Sequence, residues 1–337
     1  MSIFAELTRT PELYPLELSE DRTRVDLLRL TEADYEAASF LDHRLLIQGF
    51  ETRPMSWGDV AVGAGALPVE LDFIFHIGHV GSTLLARLLG RHPSCFALRE
   101  PALLRQIAVA PVIPDRALRP ILALLSRTWR EEQRSLVKAT SFVSEGGPVL
   151  MSMAASARAI LMLVMPEPYL AGILGGEATL AELPSLTAAR AERLSKRLGG
   201  REPPKAASPG EMAALAWACE ASGLLVCAEG FTGRSHWFDF DRFLLDPRNQ
   251  LARAFGHLRG EAGAQDLSAM LRGPEMTRYS KAPEHPFTAA VRGQVLRQSR
   301  QTWGAEIARG LRWLETLARS SAVIARTMET AEKVAAH

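Results

Sequence analysis

Three short stretches of this 337-residue chain combine residue types and spacings that could do chemistry. The first is IFHIGHVGSTLLARLL, where Gly78 and Gly81 lie between an apolar run and a run with helical spacing. Such a turn folds the backbone tightly, so the amides of Val80, Gly81, Ser82 and Thr83 converge on one spot. The helix start adds partial positive charge, and the Ser82 and Thr83 hydroxyls add donors, which suits a phosphate or sulfate. His79 is the cation candidate in the turn, charged only in part near neutral pH. The bland alternative is a strand-to-helix turn that Ser or Thr merely caps. The GxxxxGK[ST] spacing of a Walker A loop and its lysine are absent.

The second stretch holds Glu100, in FALREP, and the third holds Lys138, at the end of the apolar run SLVKATS. Glu100 could take a proton as a general base, or be a loop residue bridged to Arg99 or Arg105. A lysine in a buried strand is costly unless it meets an anion or reaches solvent. Lys138 therefore either binds a phosphate or Glu100, or snorkels at a sheet edge. A further group, Arg278, Ser280 and Lys281 in TRYSK, follows Pro274 and either folds over an anion or is a solvated loop. His76 in its apolar strand, His236 beside Trp237, and Trp303 and Trp313 at helical spacing read as core. HExxH, clustered Cys/His and a GxSxG elbow are missing, so no metal and no serine hydrolase are expected.

Lys+Arg 39 against Asp+Glu 38 leaves a net charge of +1, which removes the bulk electrostatic case for nucleic acid or an anionic membrane. Hydrophobic residues at 47% and charged ones at 23% exclude wholesale disorder. The only lysines are Lys138, Lys196, Lys205, Lys281 and Lys333, so each lysine's position carries information. Cys95, Cys219 and Cys227 match neither a disulfide framework nor a zinc spacing and read as reduced and structural. The opening MSIFAELTRTPELYP has acids and prolines where a leader needs a basic start and an apolar run. The longest apolar stretch, Ala159 to Met165, is far short of a membrane span, so a cytoplasmic protein with no membrane partner is expected.

The elements needed to position these groups can be read in outline. Residues 1–68 are expected to be a separate N-terminal helical extension. In it Thr31 caps a helix with Asp34 at the capping-box position, the helix runs to about Gln48, and Gly63-Ala64-Gly65 is a loop. Residues 69–337 are expected to be one α/β domain, with strands from Leu71, at Cys95–Leu98, Ser135–Ala139 and Ala159–Val164, and near His236–Phe240. Helices are expected at Ser82–Gly90, Asp115–Arg130, Glu211–Ser222 and Pro247–Leu258, and residues 176–210 as a mobile insertion or lid. This alternation predicts a parallel central sheet flanked by helices.

With those elements in order, the sequence resembles the P-loop sulfotransferases. His79-Val80-Gly81-Ser82-Thr83 falls where that family has Lys or Arg followed by Ser-Gly-Thr-Thr. HPSCFALREP at 92–101 resembles the segment where several bacterial and protein-modifying members place a catalytic glutamate. HWFDFDRFLLDPRNQLARAF, from His236, is similar to the family's late strand, acidic turn, L-x-DP and helix. The Gly-Pro-x-x-Thr-Arg-x-Ser-Lys pattern at Gly273–Lys281 is similar to one in uncharacterised bacterial sulfotransferase-like proteins. Together these span most of residues 70–290, and their order carries the resemblance because no single motif is specific.

The resemblance implies a P-loop nucleoside-triphosphate-hydrolase/sulfotransferase-like three-layer sandwich. It further implies a small anionic nucleotide donor, 3′-phosphoadenylyl sulfate, and an acceptor hydroxyl or amine of unknown identity. Glu100 would be the base, while Gly78 to Thr83, with His79 and Lys138, would hold the moving group and its leaving phosphate. Arg278, Ser280 and Lys281 would fold over the nucleotide. The chain departs from the family where its 3′-phosphate arginine and serine are expected, having Val164-Met165-Pro166 and then Gly172-Ile173. Two further readings follow: a non-catalytic phosphate- or nucleotide-binding protein on the same fold, and a P-loop small-molecule kinase. The kinase is disfavoured because the Walker lysine and an obvious magnesium carboxylate are missing.

Overall fold

A run such as LDFIFH, apolar at nearly every position, has no wet face and must be covered on both sides. In the computed structural model, which describes residues 3–108, 115–260, 262–278 and 286–336, this run is β4 (Leu71–His76) and all six residues are buried. Ahead of it come β1 (Leu13–Leu18), β2 (Arg24–Arg29) and β3 (Thr52–Ser56). After it come β5 (Cys95–Arg99), β6 (Arg134–Lys138), β7 (Ala159–Leu163) and β8 (Ser235–Asp239). The last five strands form one parallel sheet in the order β5-β6-β4-β7-β8, flanked by helices. From central β4 the chain goes out to β5, returns to β6, then crosses to β7 and β8. That reversal opens a crevice at the carboxyl ends of the strands, where open α/β sheets bind ligands.

Register fixes what stands at that crevice. Arg99 lies opposite Lys138, and Lys138 opposite Ile74, so β5, β6 and β4 end almost flush. The helix expected at 82–90 is Ser82–Gly90, with Leu84, Leu85, Leu88 and Leu89 buried. Helix Pro209–Gly230 extends beyond the expected Ser222 and starts in a capping box between Ser208 and Glu211. By length and composition it could cross a membrane, yet 78% of its apolar window is buried inside the protein. The polar segment after Gly176 contains helix Glu177–Arg197, which is tied to that long helix. Arg197 donates to Cys219 O at 2.6 Å and Ser222 Oγ at 2.9 Å, and Arg193 to Glu220 Oε1 at 3.0 Å. The three cysteines are free and buried.

The first 68 residues differ most from expectation. β1, β2 and β3 form an antiparallel sheet in that order, where helices were expected. Pro15 and a register shift between Pro15 and Glu17 break the alternation that would have announced β1, and β3 contains Pro54. The capping box at Thr31 and Asp34 is present, but its helix is Glu32–Ala37, and the chain resumes helix only at Arg44–Ile47. The interruption has a cause: the Arg99 guanidinium takes the carbonyls of Tyr35, Glu36 and Ala38. Residues 38–41 then run along the β5 edge, with Leu41 N–H donating to Arg99 O at 2.8 Å. Gly63 and Gly65 belong to helix Trp57–Gly65, capped by Ser56, instead of a loop, because Val60 and Ala64 bury one face of it. Helix Asp115–Leu125 stops short of Arg130. Arg127, just beyond it, turns inward to the carbonyls of Leu7 at 2.6 Å, Thr10 at 2.9 Å and Leu13 at 2.9 Å.

In β8 the half-buried His236 ring stacks on His257 with centroids 5.4 Å apart. Burial, then the neighbouring His257 and Arg253, push the His236 pKa down to about 4, and burial lowers that of His257. In the unfolded chain both rings titrate near ~6.5. Between those values the unfolded state binds more protons, so stability is full above pH ~6.5 and is lost as the pH falls through about 4. Thermal unfolding of the wild type is expected to drop in midpoint from pH 7 to pH 4.5. His236→Phe should show a visibly smaller drop, and an equal drop in both proteins would contradict the assignment.

Candidate anion and acid–base site

The turn after β4 is anchored before it curls. Ile77 N–H donates to Met162 O at 3.3 Å, and Ser144 Oγ meets both the N–H and the carbonyl of His76. Gly78 N–H donates to His76 Nδ1 at 2.9 Å, which makes Nδ1 the acceptor and leaves the ring proton on Nε2. Nε2 lies 2.8 Å from Ala139 O, the residue after β6. One buried imidazole thereby joins β4, the turn and the end of β6. Gly78 was expected to bind the anion, but its amide serves this anchor. The chain then passes through left-handed conformations at Gly78 (φ 83), His79 (φ 55) and Gly81 (φ 69).

Gly81 is the N-cap of helix Ser82–Gly90, and no side chain caps that end. The first amides of a helix have no partner within it. Thr83 is 2% exposed and its Oγ1 has no hydrogen-bond partner, an unmet donor at the same helix start. A cavity of about 200 Å³ opens here, lined by residues 79–84 together with Gly172, Phe240, Phe287 and Arg292. Arg292 is the cation that sequence reasoning missed. It sits in the first turn of helix Ala289–Ser320, held on Asp241 by Nε at 2.5 Å and Nη2 at 3.2 Å, with its guanidinium 5.1 Å from the Phe240 ring centroid. No local pattern could have announced it, because only the tertiary packing brings that helix start to the turn. His79 lines the cavity and is exposed.

Glu100 and Lys138 come together at the neighbouring strand ends. Lys138 has no exposed surface, and its Nζ forms an ion pair with Glu100 Oε1. Thr140 Oγ1 donates to Glu100 Oε2 at 3.3 Å, and Glu100 N–H donates to Lys138 O at 2.7 Å. The Phe40 ring centroid lies 5.8 Å from the ammonium. Lys138 does not snorkel, and Glu100 is salt-bridged, to Lys138 and to neither Arg99 nor Arg105, whose Nη1 goes to Asp42 at 3.1 Å. Lys138 is also not in the lining of the cavity at the turn, so its charge serves Glu100. Glu100 is left-handed at φ 52; with His79 and Arg22 it makes up the non-glycine residues of positive φ among those described. Such a conformation costs about 1–3 kcal/mol and needs surroundings that impose it.

Of the remaining group only Arg278 lies among the described residues. Arg278 is exposed and pairs through its backbone with Pro286, and it is Phe287 that reaches the cavity. Ser280 and Lys281 lie outside the described residues. Among the described residues no cluster of three His, Cys, Asp or Glu side chains is arranged to hold a metal.

Fold and site together define the class: a parallel α/β sandwich with a glycine turn and an uncapped helix start after its central strand. No family model and no curated protein matches the chain. Among solved structures, it is similar to mouse sulfotransferase SULT7A1 complexed with PAP, at 12% identity and a TM-score of 0.42, over 83% of this chain and 96% of that one. It is also similar to the sulfotransferase domain from the curacin biosynthetic pathway, at 15% identity and a TM-score of 0.40, over 74% and 98% of the two chains. Sulfotransferase STF9 from Mycobacterium avium gives 11% identity and a TM-score of 0.40, over 71% and 78%. Likeness at this level transfers no residue role to this chain.

The turn makes a sharp comparison of two glycines. A Cβ on Gly78 would meet Ser141 at an ordinary 3.6 Å, so Gly78→Ala should cost only the left-handed penalty of about 1–2 kcal/mol. A Cβ on Gly81 would lie 2.1 Å from the Phe240 ring, adding about 1–3 kcal/mol of overpacking. Urea unfolding should rank Gly81→Ala clearly below Gly78→Ala, and equal midpoints would show that the ring is not fixed on the turn.

Proposed function

We propose that this chain is a sulfotransferase-like transferase that moves a sulfuryl group from 3′-phosphoadenylyl sulfate to a hydroxyl or amine of an acceptor. The observation that carries this reading is the left-handed Glu100, ion-paired to buried Lys138, at the same carboxyl edge of the sheet as the turn after β4 that leads into the uncapped helix start with its unmet Thr83 hydroxyl. Sulfuryl transfer asks mainly for positioning and charge stabilisation. In this reading the acceptor oxygen attacks sulfur while its proton passes to the Glu100 carboxylate. The bond between sulfur and the bridging oxygen of the 5′-phosphate breaks, and 3′-phosphoadenosine 5′-phosphate leaves. Lys138 and Thr140 hold the carboxylate in one orientation. The amides at the start of helix Ser82–Gly90 and the Arg292 guanidinium balance the charge of the departing phosphate.

The residues fit the phosphosulfate end of the donor better than its 3′-phosphate. Met165 carries no donor, and an added Cβ on Gly172, in the cavity wall, would meet open space. Arg292 would therefore be the cation available to the nucleotide in that cavity. The same two positions favour the second reading, a nucleotide-binding protein that has lost transfer.

Calorimetric titration should show saturable binding of 3′-phosphoadenosine 5′-phosphate, weaker binding of ATP, and a loss of about tenfold in affinity in Arg292→Met. In a transfer assay Glu100→Gln should lower the rate by about 10²–10⁴-fold with nucleotide affinity retained. Nucleotide binding without transfer to phenols or amines would favour the second reading. No binding of 3′-phosphoadenosine 5′-phosphate would overturn both.

A further inference from the structure

A second cavity lies away from the turn, against edge strand β5. It measures about 610 Å³ and is walled by helix Glu32–Ala37 and the end of helix Ser82–Gly90. That volume is in the range of small-molecule sites, and the cavity shares no lining residue with the one at the turn.

Four guanidiniums reach it, in two different states. Arg91 is neutralised by Glu275 at 2.9 and 3.0 Å, and Arg130 by a two-pronged contact with Glu32 at 2.7 and 2.8 Å. Among the described residues Arg87 and Arg99 have no carboxylate in direct contact. Arg99, only 4% exposed, is held by Ala38 O at 2.6 and 2.9 Å and by the carbonyls of Tyr35 and Glu36. Arg87 meets Glu36 O at 3.2 Å, Ala37 O at 3.5 Å and Ser39 Oγ at 3.1 Å. The Arg99 Nη1 makes no hydrogen bond with the described residues, and the buried Arg87 Nε has no partner. Two cations thus share a poorly solvated wall in which Glu36 and Glu275 act on them only through space, an incomplete compensation that is costly. The electrostatics agree: burial and then the Arg87 charge push Arg99 down to about 9, and burial lowers Arg87.

Charge count narrows the ligand. Four arginines stand against Glu32, Glu36 and Glu275, which leaves one net positive charge and suits a monoanion better than a polyphosphate. Behind the guanidiniums, the Tyr35 and Phe96 rings meet edge to face at 5.0 Å, buried in the core beneath the wall.

We propose that this cavity binds a small organic monoanion, a carboxylate or a sulfate ester, with its anionic group at the wall formed by Arg87 and Arg99. This site does not depend on sulfuryl transfer.

The test titrates benzoate and phenyl sulfate separately into the full chain by calorimetry. Saturable binding of either supports the site, and the tighter one identifies its anion. Arg87→Gln should weaken that binding about tenfold. Because Arg87 also holds a helix end, Gln133→Glu provides a second arm. Gln133 Oε1 accepts from Trp129 N–H at 3.1 Å and Arg130 N–H at 3.3 Å, so glutamate keeps both contacts while adding a negative charge to the wall. It too should weaken binding about tenfold, whereas Thr83→Val at the turn should leave it unchanged. Absence of saturable binding of both probes at millimolar concentration overturns the proposal. So does a Gln133→Glu protein that binds as tightly as the wild type, or a loss that follows Thr83→Val instead.

Discussion

A lysine with no exposed surface at the end of a parallel strand is the constraint around which the crevice is organised. Transferring an ammonium out of water is tolerable only with an anion in direct contact, and removing one partner of such a pair typically costs about 3–5 kcal/mol. Lys138 meets this demand with Glu100, which is possible only because β5 and β6 end in register and the chain turns left-handed at Glu100. Strand alignment, the unusual backbone at Glu100 and the docking of Phe40 over the ammonium belong to one electrostatic solution.

The two halves of the crevice are joined through neutral groups. His76 spends one ring nitrogen on the turn and the other on Ala139, so the turn after β4 and the residue following Lys138 are tied through one ring. This imidazole is buried and needs its uncharged form to accept from Gly78. The fixed charges stay at either side, Arg292 against Asp241 and Lys138 against Glu100. Between them stands the helix start, a source of positive potential that requires no side-chain charge.

Much of this was legible in the sequence, for physical reasons that also explain the gaps. The buried strands declared themselves as unbroken apolar runs, and the glycine turn, Glu100 and Lys138 lie on or beside them. The pairing of Glu100 with Lys138 stood among the open alternatives because burying a lysine demands a partner. Arg292 was not legible, since it reaches the turn only through the packing of a helix that begins far along the chain. The N-terminal sheet was hidden by prolines and a bulge, and the break after Ala37 by a guanidinium, Arg99, that no local pattern connects to it. Arg278 was placed by motif order alone and stands exposed, paired with Pro286 and outside the cavity lining.

The segment at residues 38–41 gives the first 68 residues a meaning beyond decoration. Its Leu41 amide is bonded to Arg99 O, and its Phe40 ring covers the Lys138 ammonium. Peeling this strip away would rehydrate an ion pair that the parallel sheet cannot shield by itself. In the language of native-state hydrogen exchange, the Leu41 amide reports an opening whose free energy includes wetting that pair. A boundary drawn by chain position near residue 68 is therefore crossed by direct contacts at the site. The strip and the strand ends beneath it share one set of contacts, from the Arg99 guanidinium and carbonyl to the Phe40 ring.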